Sequence, residues 1–174
     1  MCGFDDTPEY RGGRLRVRRE HHALPDGRRV SLDAVRVPGV AYVLPLLDDG
    51  RVVLIRQYRP IVGAELWELP AGTIEVGEPP ETCARRELIE EAGYEAGRLE
   101  ALGEALADPG LTDERLFLFV ARELRPVSRE LDTDEHIEVV PATLAEAYRM
   151  ADAGEILDAG TLVALWRFRS RGDR

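Results

Sequence analysis

The chain has no lysine. All 23 of its basic side chains are arginine, which reflects genome composition more than function. Only two cysteines occur in 174 residues, Cys2 and Cys83. A pair of cysteines without a secretory leader does not make a disulfide scaffold, so reduced thiols and a cytoplasmic location are expected. The first residues, MCGFDDTPEYRGG, carry acids early and no apolar stretch, unlike a leader peptide. No apolar run approaches the ~20 residues of a bilayer span, so no membrane partner is expected. Positive charge is also in deficit. The 33 acids outnumber the bases, giving a net charge of −10 and a pI of about 4.9. That argues against gripping nucleic acid by broad phosphate neutralisation. A small phosphorylated substrate is still open to such a chain, because bound divalent cations can reach phosphate for it.

What is present is a globular composition, 44% hydrophobic and 32% charged, of a length that suits one domain with a small appendage. Charge divides the chain. Residues 11–38 hold eight arginines and three acids, whereas the rest is strongly acidic. This separates an N-terminal arm, 1–38, from a body, 39–174. In the arm, Arg14–Glu20 alternates through Leu15 and Val17, Leu24-Pro25-Asp26-Gly27 supplies a turn, and Arg29–Val37 follows. The pattern predicts a β-hairpin. A two-stranded ribbon needs a partner surface, either the body or a second subunit.

In the body, Val40–Leu47 and Val52–Tyr58 are apolar, branched runs separated by Asp48-Asp49-Gly50, and are expected to pair as antiparallel buried strands. Glu65–Leu69, Leu116–Ala121 and His136–Val140 read as further strands. Pro79–Glu91 has helical spacing, with Ala84, Leu88 and Ala92 on one face, prolines at its start and Gly93 at its end. Thr143–Ala153 and Gly160–Phe168 read as two closing helices. The order predicts a mixed α/β domain with helices flanking a sheet.

The chemistry concentrates in Gly72–Tyr94, GTIEVGEPPETCARRELIEEAGY. Glu87, Glu90 and Glu91 fall at i, i+3 and i+4, which on a helix places three carboxylates on one side. Like charges that close repel unless something positive sits among them. Arg86 offsets part of this charge and a divalent ion would offset more. All-oxygen donors suit Mg²⁺, with Mn²⁺ as the alternative, not a soft-ligand zinc site. A bare E-x-x-E-E is more often a solvated acidic face. Here it lies inside a longer spacing, G-x5-E-x7-R-E-U-x-E-E-x-G-U with U bulky and hydrophobic, met by Gly72, Glu78, Arg86, Glu87, Leu88, Glu90, Glu91, Gly93 and Tyr94. Seven fixed identities at about a tenth each make a chance match on the order of 10⁻⁷ per start point.

This stretch resembles the Nudix box, the signature of hydrolases that cut nucleoside diphosphates linked to another moiety. Tyr94 is a mild departure, since an aliphatic residue is commoner there. The resemblance implies an α/β/α sandwich with a mixed sheet, and a box folded as loop–helix–loop. It implies Glu87 and Glu91 as principal metal ligands, Glu90 assisting, the Ala71 carbonyl as a further ligand, Arg86 orienting the glutamates, and Glu78 bracing the loop or meeting a metal through water. The flanks are similar to the ADP-ribose pyrophosphatase branch: Arg56-Gln57-Tyr58-Arg59 followed by ELWELPAG, Asp108-Pro109-Gly110-Leu111-Thr112-Asp113-Glu114, Glu135, and GEILDAGTLVAL at 154–165. In that branch the arm exchanges between subunits, so a homodimer is implied.

Several of these residues carry two readings. Pro109-Gly110 is a plain turn or the substrate-side element of that branch. Arg56 and Arg59 are surface ion-pair residues or substrate contacts, with Arg59 able to clamp a phosphate by paired hydrogen bonds. Trp67 packs a core or interface, or stacks on a base. Cys83 reads as packing, and His21, His22 and His136 as structural or solvated. The general base is Glu135 or Glu114, unless Glu135 is itself a metal ligand. The implied activity is hydrolysis of ADP-ribose to AMP and ribose 5-phosphate. The alternatives are the same chemistry on another sugar nucleotide such as GDP-mannose, or a non-catalytic ADP-ribose sensor, which an intact box disfavours.

Overall fold

The structure is a computed structural model and describes residues 8–129 and 136–172. The arm is an antiparallel sheet of β1 (Pro8–Arg11), β2 (Arg16–Ala23) and β3 (Arg29–Arg36). The expected hairpin is β2–β3, turning at Gly27 with φ of 84°, a left-handed angle that glycine adopts without steric cost. β1 adds a third strand, too short to show in an alternation pattern. The arm docks on the body through the 108–114 turn. Val35 N–H donates to the Leu111 carbonyl at 2.9 Å and Val37 N–H to Asp113 at 3.2 Å. Arg36 bridges buried Glu20 in the arm and Asp113 in the body, the latter at 3.0 Å.

The body contains β4 (Val40–Pro45), β5 (Arg51–Arg59), β6 (Ala64–Glu68), β7 (Ala71–Thr73), α1 (Pro80–Glu87), a π-helical turn over Leu88–Ala92, β8 (Tyr94–Leu106), β9 (Arg115–Pro126), β10 (Ile137–Thr143), α2 (Leu144–Asp152) and α3 (Ala159–Ser170). One sheet runs β7-β4-β9-β8, with β4 and β9 parallel. A second runs β10-β5-β6. Apolar residues leave the strands on both sides. Ala41, Val43, Val53 and Ala121 join Ala84 and Leu88 of the box helix, whereas Leu44, Leu54, Leu118 and Val120 join Ala164, Leu165 and Phe168 of α3. This is the α/β/α sandwich expected. Among the described residues no helix is long and apolar enough to cross a membrane.

The expected pairing of Val40–Leu47 with Val52–Tyr58 is corrected. Those runs are strands, but only one bridge, Leu46 to Val52, joins them. β4 pairs with β7 and β9, and β5 with β10 and β6. Both runs are apolar on both faces, so each takes a place with a strand on either edge. Continuous apolarity reports burial without naming the neighbour. β8 lacks a strand signal altogether. Ala, Glu and Leu dominate it, and pairing with β9 along most of its length imposes the extended state.

The last two helices are each capped by the side chain just ahead of their first turn. Thr143 accepts from Glu146 N–H at 3.1 Å, and Asp158 from Thr161 N–H at 2.7 Å. Asp158 also accepts from the Tyr42 hydroxyl at 3.3 Å, and Gly160 makes room for that ring: a Cβ there would lie 2.1 Å from Tyr42 Cζ. Gly160→Ala is therefore expected to destabilise the fold by about 1–3 kcal/mol through overpacking, measured by urea unfolding.

Candidate active site

The box is positioned by the packing of α1. Pro79 and Pro80 start the helix, where a missing N–H costs nothing. Cys83, Ala84 and Leu88 then bury one face against the sheet. After Glu87 the helix widens into the π-helical turn and stops at Gly93, whose φ is 73°. The simple i, i+3, i+4 α-helical arrangement is thus modified, because a π turn moves Glu90 and Glu91 around the axis by smaller steps. Glu91 turns inward and is 2% exposed; it accepts a hydrogen bond from Ala71 N–H at 2.7 Å. Glu87 is also buried, whereas Glu90 stays partly open to solvent.

Arg86 lies in the middle of this charge. Nε and Nη2 donate to Glu78 at 3.1 and 3.2 Å, and Nη1 donates to Glu87 at 2.6 Å and to Glu90 at 2.9 Å. Its Nη2 also reaches the Thr73 carbonyl at 3.3 Å. The Glu78 contact, ahead of the neighbouring carboxylates, drives the guanidinium further from deprotonation. In return, Arg86 holds the Glu78 carboxyl below its usual range, helped by Glu75 N–H. Gly72 faces the same point. A Cβ at Gly72 would sit 1.8 Å from Glu87 Oε1, so the carboxylate occupies the volume that any other residue would fill.

The donor set is all oxygen, crowded and only partly neutralised by one arginine, which fits a hard divalent cation. Among the described residues no three His, Cys, Asp or Glu side chains converge on one point. The fit rests on donor chemistry and on the cradle at Gly72.

A cleft of about 1090 Å³ is lined by Glu87, Glu90 and Glu91 and also by Arg11, Arg14 and Arg16 of the arm. It joins an acidic surface to a basic one. Ala71, Arg59 and Tyr42 complete part of its lining. Burial, then the Asp158 carboxylate, push the Tyr42 phenol well above its ordinary range, so it is neutral and a donor.

The remaining candidates separate from this cleft. Arg56 and Arg59 are three residues apart on β5, so pleating puts them on opposite faces. Arg59 enters the cleft. Arg56 instead pairs with Glu65, approaches Glu138 at 3.9 Å, and lies 5.9 Å from the ring centre of its cross-strand neighbour Trp67. Trp67 is half-buried and packs on the α3-side core. Pro109 and Gly110 form an exposed turn, in which Gly110 N–H donates to Asp108 at 3.2 Å, and this turn holds the arm. Glu114 is half-buried outside the cleft lining, and burial raises its carboxyl pKa. Glu135 lies outside the described residues.

Tyr42, Glu68, Asp158 and Thr161 escape sequence reasoning. Glu68 is 2% exposed and binds Arg59; Thr161 is buried and accepts from Leu69 N–H at 2.9 Å. Two signals could have marked three of them, a charged residue inside the apolar LWELPAG and a D-x-x-T cap before an apolar run; neither marks Tyr42.

The NUDIX domain family model matches residues 36–160. The ADP-ribose pyrophosphatase of Bacillus subtilis (strain 168) is 38% identical over 144 residues, covering 82% of this chain and 78% of that protein. The GDP-mannose pyrophosphatase of Pectobacterium atrosepticum is 39% identical over 146 residues, covering 79% and 75%. The crystal structure of an ADP compounds hydrolase superposes with a TM-score of 0.83 at 25% identity, covering 96% of this chain and 92% of that one. The chain belongs to the Nudix family.

Two measurements probe this geometry. Gly72→Ala meets only the far end of a flexible side chain, so it should swing Glu87 aside with little loss of stability. Mn²⁺ affinity, followed by electron paramagnetic resonance, is expected to fall about tenfold or more, with the melting temperature nearly unchanged. Burial pushes the Cys83 thiol up to about 12. It is protonated at pH 8 and therefore a poor nucleophile. In a Cys2→Ser background, native protein should resist iodoacetamide at that pH and label only after denaturation, as read by mass spectrometry.

Proposed function

We propose that this chain is a divalent-metal-dependent pyrophosphohydrolase that cleaves ADP-ribose to AMP and ribose 5-phosphate, with Mg²⁺ as the ion and Mn²⁺ as an alternative. The observation that carries this reading is one cleft lined by the box carboxylates, by Arg59 and by the arginines of the arm. Glu87 and Glu91 would be the principal ligands, with Glu90 and the Ala71 carbonyl assisting. When bound, a hard divalent cation supplies positive charge that neutralises phosphate oxygens during attack by water.

The chain's own residues do the rest. Arg86 spaces Glu87 and Glu90 by donating to both, while Glu78 braces Arg86 from the loop. Glu91 is fixed in a buried position by Ala71 N–H. Arg59 supplies outward N–H donors for a phosphate, a bidentate geometry that guanidinium satisfies well. The base that takes the proton from water is Glu114 or Glu135; the raised pKa of Glu114 suits proton transfer. Because Glu114 lies outside the cleft lining, it would act only if its turn moves inward.

The reading includes a homodimer with arm 1–38 exchanged between hydrolase domains 39–174, and a cytoplasmic location. The arm holds its own body here through a few contacts at Leu111 and Asp113, which a second copy could supply equally. Arg56, Trp67, Pro109 and Gly110 would then touch substrate only across that interface. The GDP-mannose pyrophosphatase relative favours a second reading, the same chemistry with a guanine base.

The test is hydrolysis of ADP-ribose, GDP-mannose, UDP-glucose, NADH and dNTPs with and without Mg²⁺. Metal-dependent AMP release from ADP-ribose is expected, and Glu91→Gln should reduce it by about 100-fold or more while leaving the circular dichroism spectrum unchanged. Preference for GDP-mannose would move the substrate and keep the mechanism. Light scattering should give twice the 19.4 kDa chain mass; a monomer at micromolar concentration would overturn arm exchange.

A further inference from the structure

Glu68 is among the most deeply buried charged residues of the chain, with a side chain 3% exposed. It lies on β6, where it faces Ile55 of β5, and its carboxylate reaches Arg59 at the end of that strand. A buried carboxylate is retained only where it is paired and hydrogen-bonded. The pairing is two-pronged: Arg59 Nε donates to one carboxylate oxygen at 2.9 Å, and Nη2 donates to the other. This side-on grip uses one edge of the guanidinium. A guanidinium has five N–H donors in a rigid plane, so three remain, on Nη1 and the outer side of Nη2. Arg59 itself is partly exposed and lines the cleft that holds Glu91 and Ala71.

The surroundings explain why the pair stays put. Leu69, next in the chain after Glu68, has its N–H tied to buried Thr161 on α3, and Asp158 at the cap of α3 takes the Tyr42 hydroxyl. The backbone beneath Glu68 is thereby anchored to a helix terminus. That anchor fixes where the buried Glu68 carboxylate meets Arg59.

We propose that Glu68 is a positioning residue: it grips one edge of Arg59 so that the guanidinium presents its remaining donors to the diphosphate of a nucleotide in the cleft. It does not touch the substrate. The inference rests on the nucleotide reading above and gives Arg59 a defined orientation within it.

The test is a double-mutant cycle with two readouts. Glu68→Gln, Arg59→Gln and the double variant are compared with wild type for ADP-ribose turnover and for binding of ADP with Mg²⁺ by calorimetry. Glu68→Gln is expected to raise KM and weaken ADP binding about tenfold, the scale of a lost charge-assisted pair, with kcat changed far less. The double variant should bind ADP no worse than Arg59→Gln alone, because Glu68 acts only through Arg59. Glu68→Asp should recover part of the loss. If Glu68→Gln lowers only the melting temperature, or if its effect on ADP binding adds in full to that of Arg59→Gln, the proposal is overturned. If Glu68→Gln fails to fold, the comparison of Glu68→Asp with Glu68→Asp/Arg59→Gln decides by the same rule. If wild type turns over no sugar nucleotide yet binds ADP, the substrate reading fails and the binding arm still tests Glu68.

Discussion

Holding several carboxylates close together in partly buried surroundings is the constraint around which this molecule is arranged. Glu87, Glu90 and Glu91 would repel one another in an isolated helix, and Glu78 of the preceding loop adds another carboxylate beside them. Arg86 joins three of them and the Thr73 carbonyl through one planar group, and Ala71 N–H holds the fourth. That arrangement needs the β7 backbone to run directly beside the box helix. It needs glycine at position 72, because the Glu87 carboxylate fills the space of a side chain there. The burial of Cys83, Ala84 and Leu88 against the sheet keeps the helix at that distance. The apolar face of the helix and its acidic side are thus one design: burial of the first sets the geometry of the second.

The cleft beside it joins opposite charges. The body is strongly acidic and residues 11–38 of the arm are net basic, and the structure brings both to one cavity. A diphosphate needs that combination, because its oxygens must be shared between cations at the acidic side and guanidinium groups at the basic side. Arg36 fastens the two units through Glu20 on one side and Asp113 on the other. The Pro109-Gly110 turn serves the same attachment by placing Leu111 and Asp113 under β3. A turn that resembles a substrate element is, in this chain, first of all the seat of the arm.

A second polar cluster supports the cleft from behind. Arg59, Glu68, Tyr42, Asp158 and Thr161 come from β4, β5, β6 and α3, and no pair of them except Asp158 and Thr161 is close in sequence. Their burial is tolerated because each described polar contact is matched: guanidinium to carboxylate, phenol to carboxylate, hydroxyl to backbone N–H. Gly160 allows this by leaving the Tyr42 ring its volume. The GEILDAGTLVAL segment therefore has a physical role, as the cap and packing surface that hold the Arg59 side of the cleft.

Local chemistry determined much of this protein from the sequence alone. The turn residues and alternation of the arm set a hairpin. Prolines and Gly93 bounded the box helix, and the spacing of Glu87, Glu90 and Glu91 put carboxylates together, because each of these depends on neighbours within a few residues. Pairing partners did not follow in the same way. The runs beginning at Val40 and Val52 are equally apolar on two faces, which specifies burial and leaves the choice of sheet to the whole chain. β8 is extended only because β9 lies beside it. Strand parity separated Arg56 from Arg59, a distinction invisible to a motif that contains both. The inward hold of Ala71 N–H on Glu91, and the buried grip of Glu68 on Arg59, are contacts between separate strands and turns. Such contacts exist only once the sheet and helices have packed, so tertiary structure alone decided them.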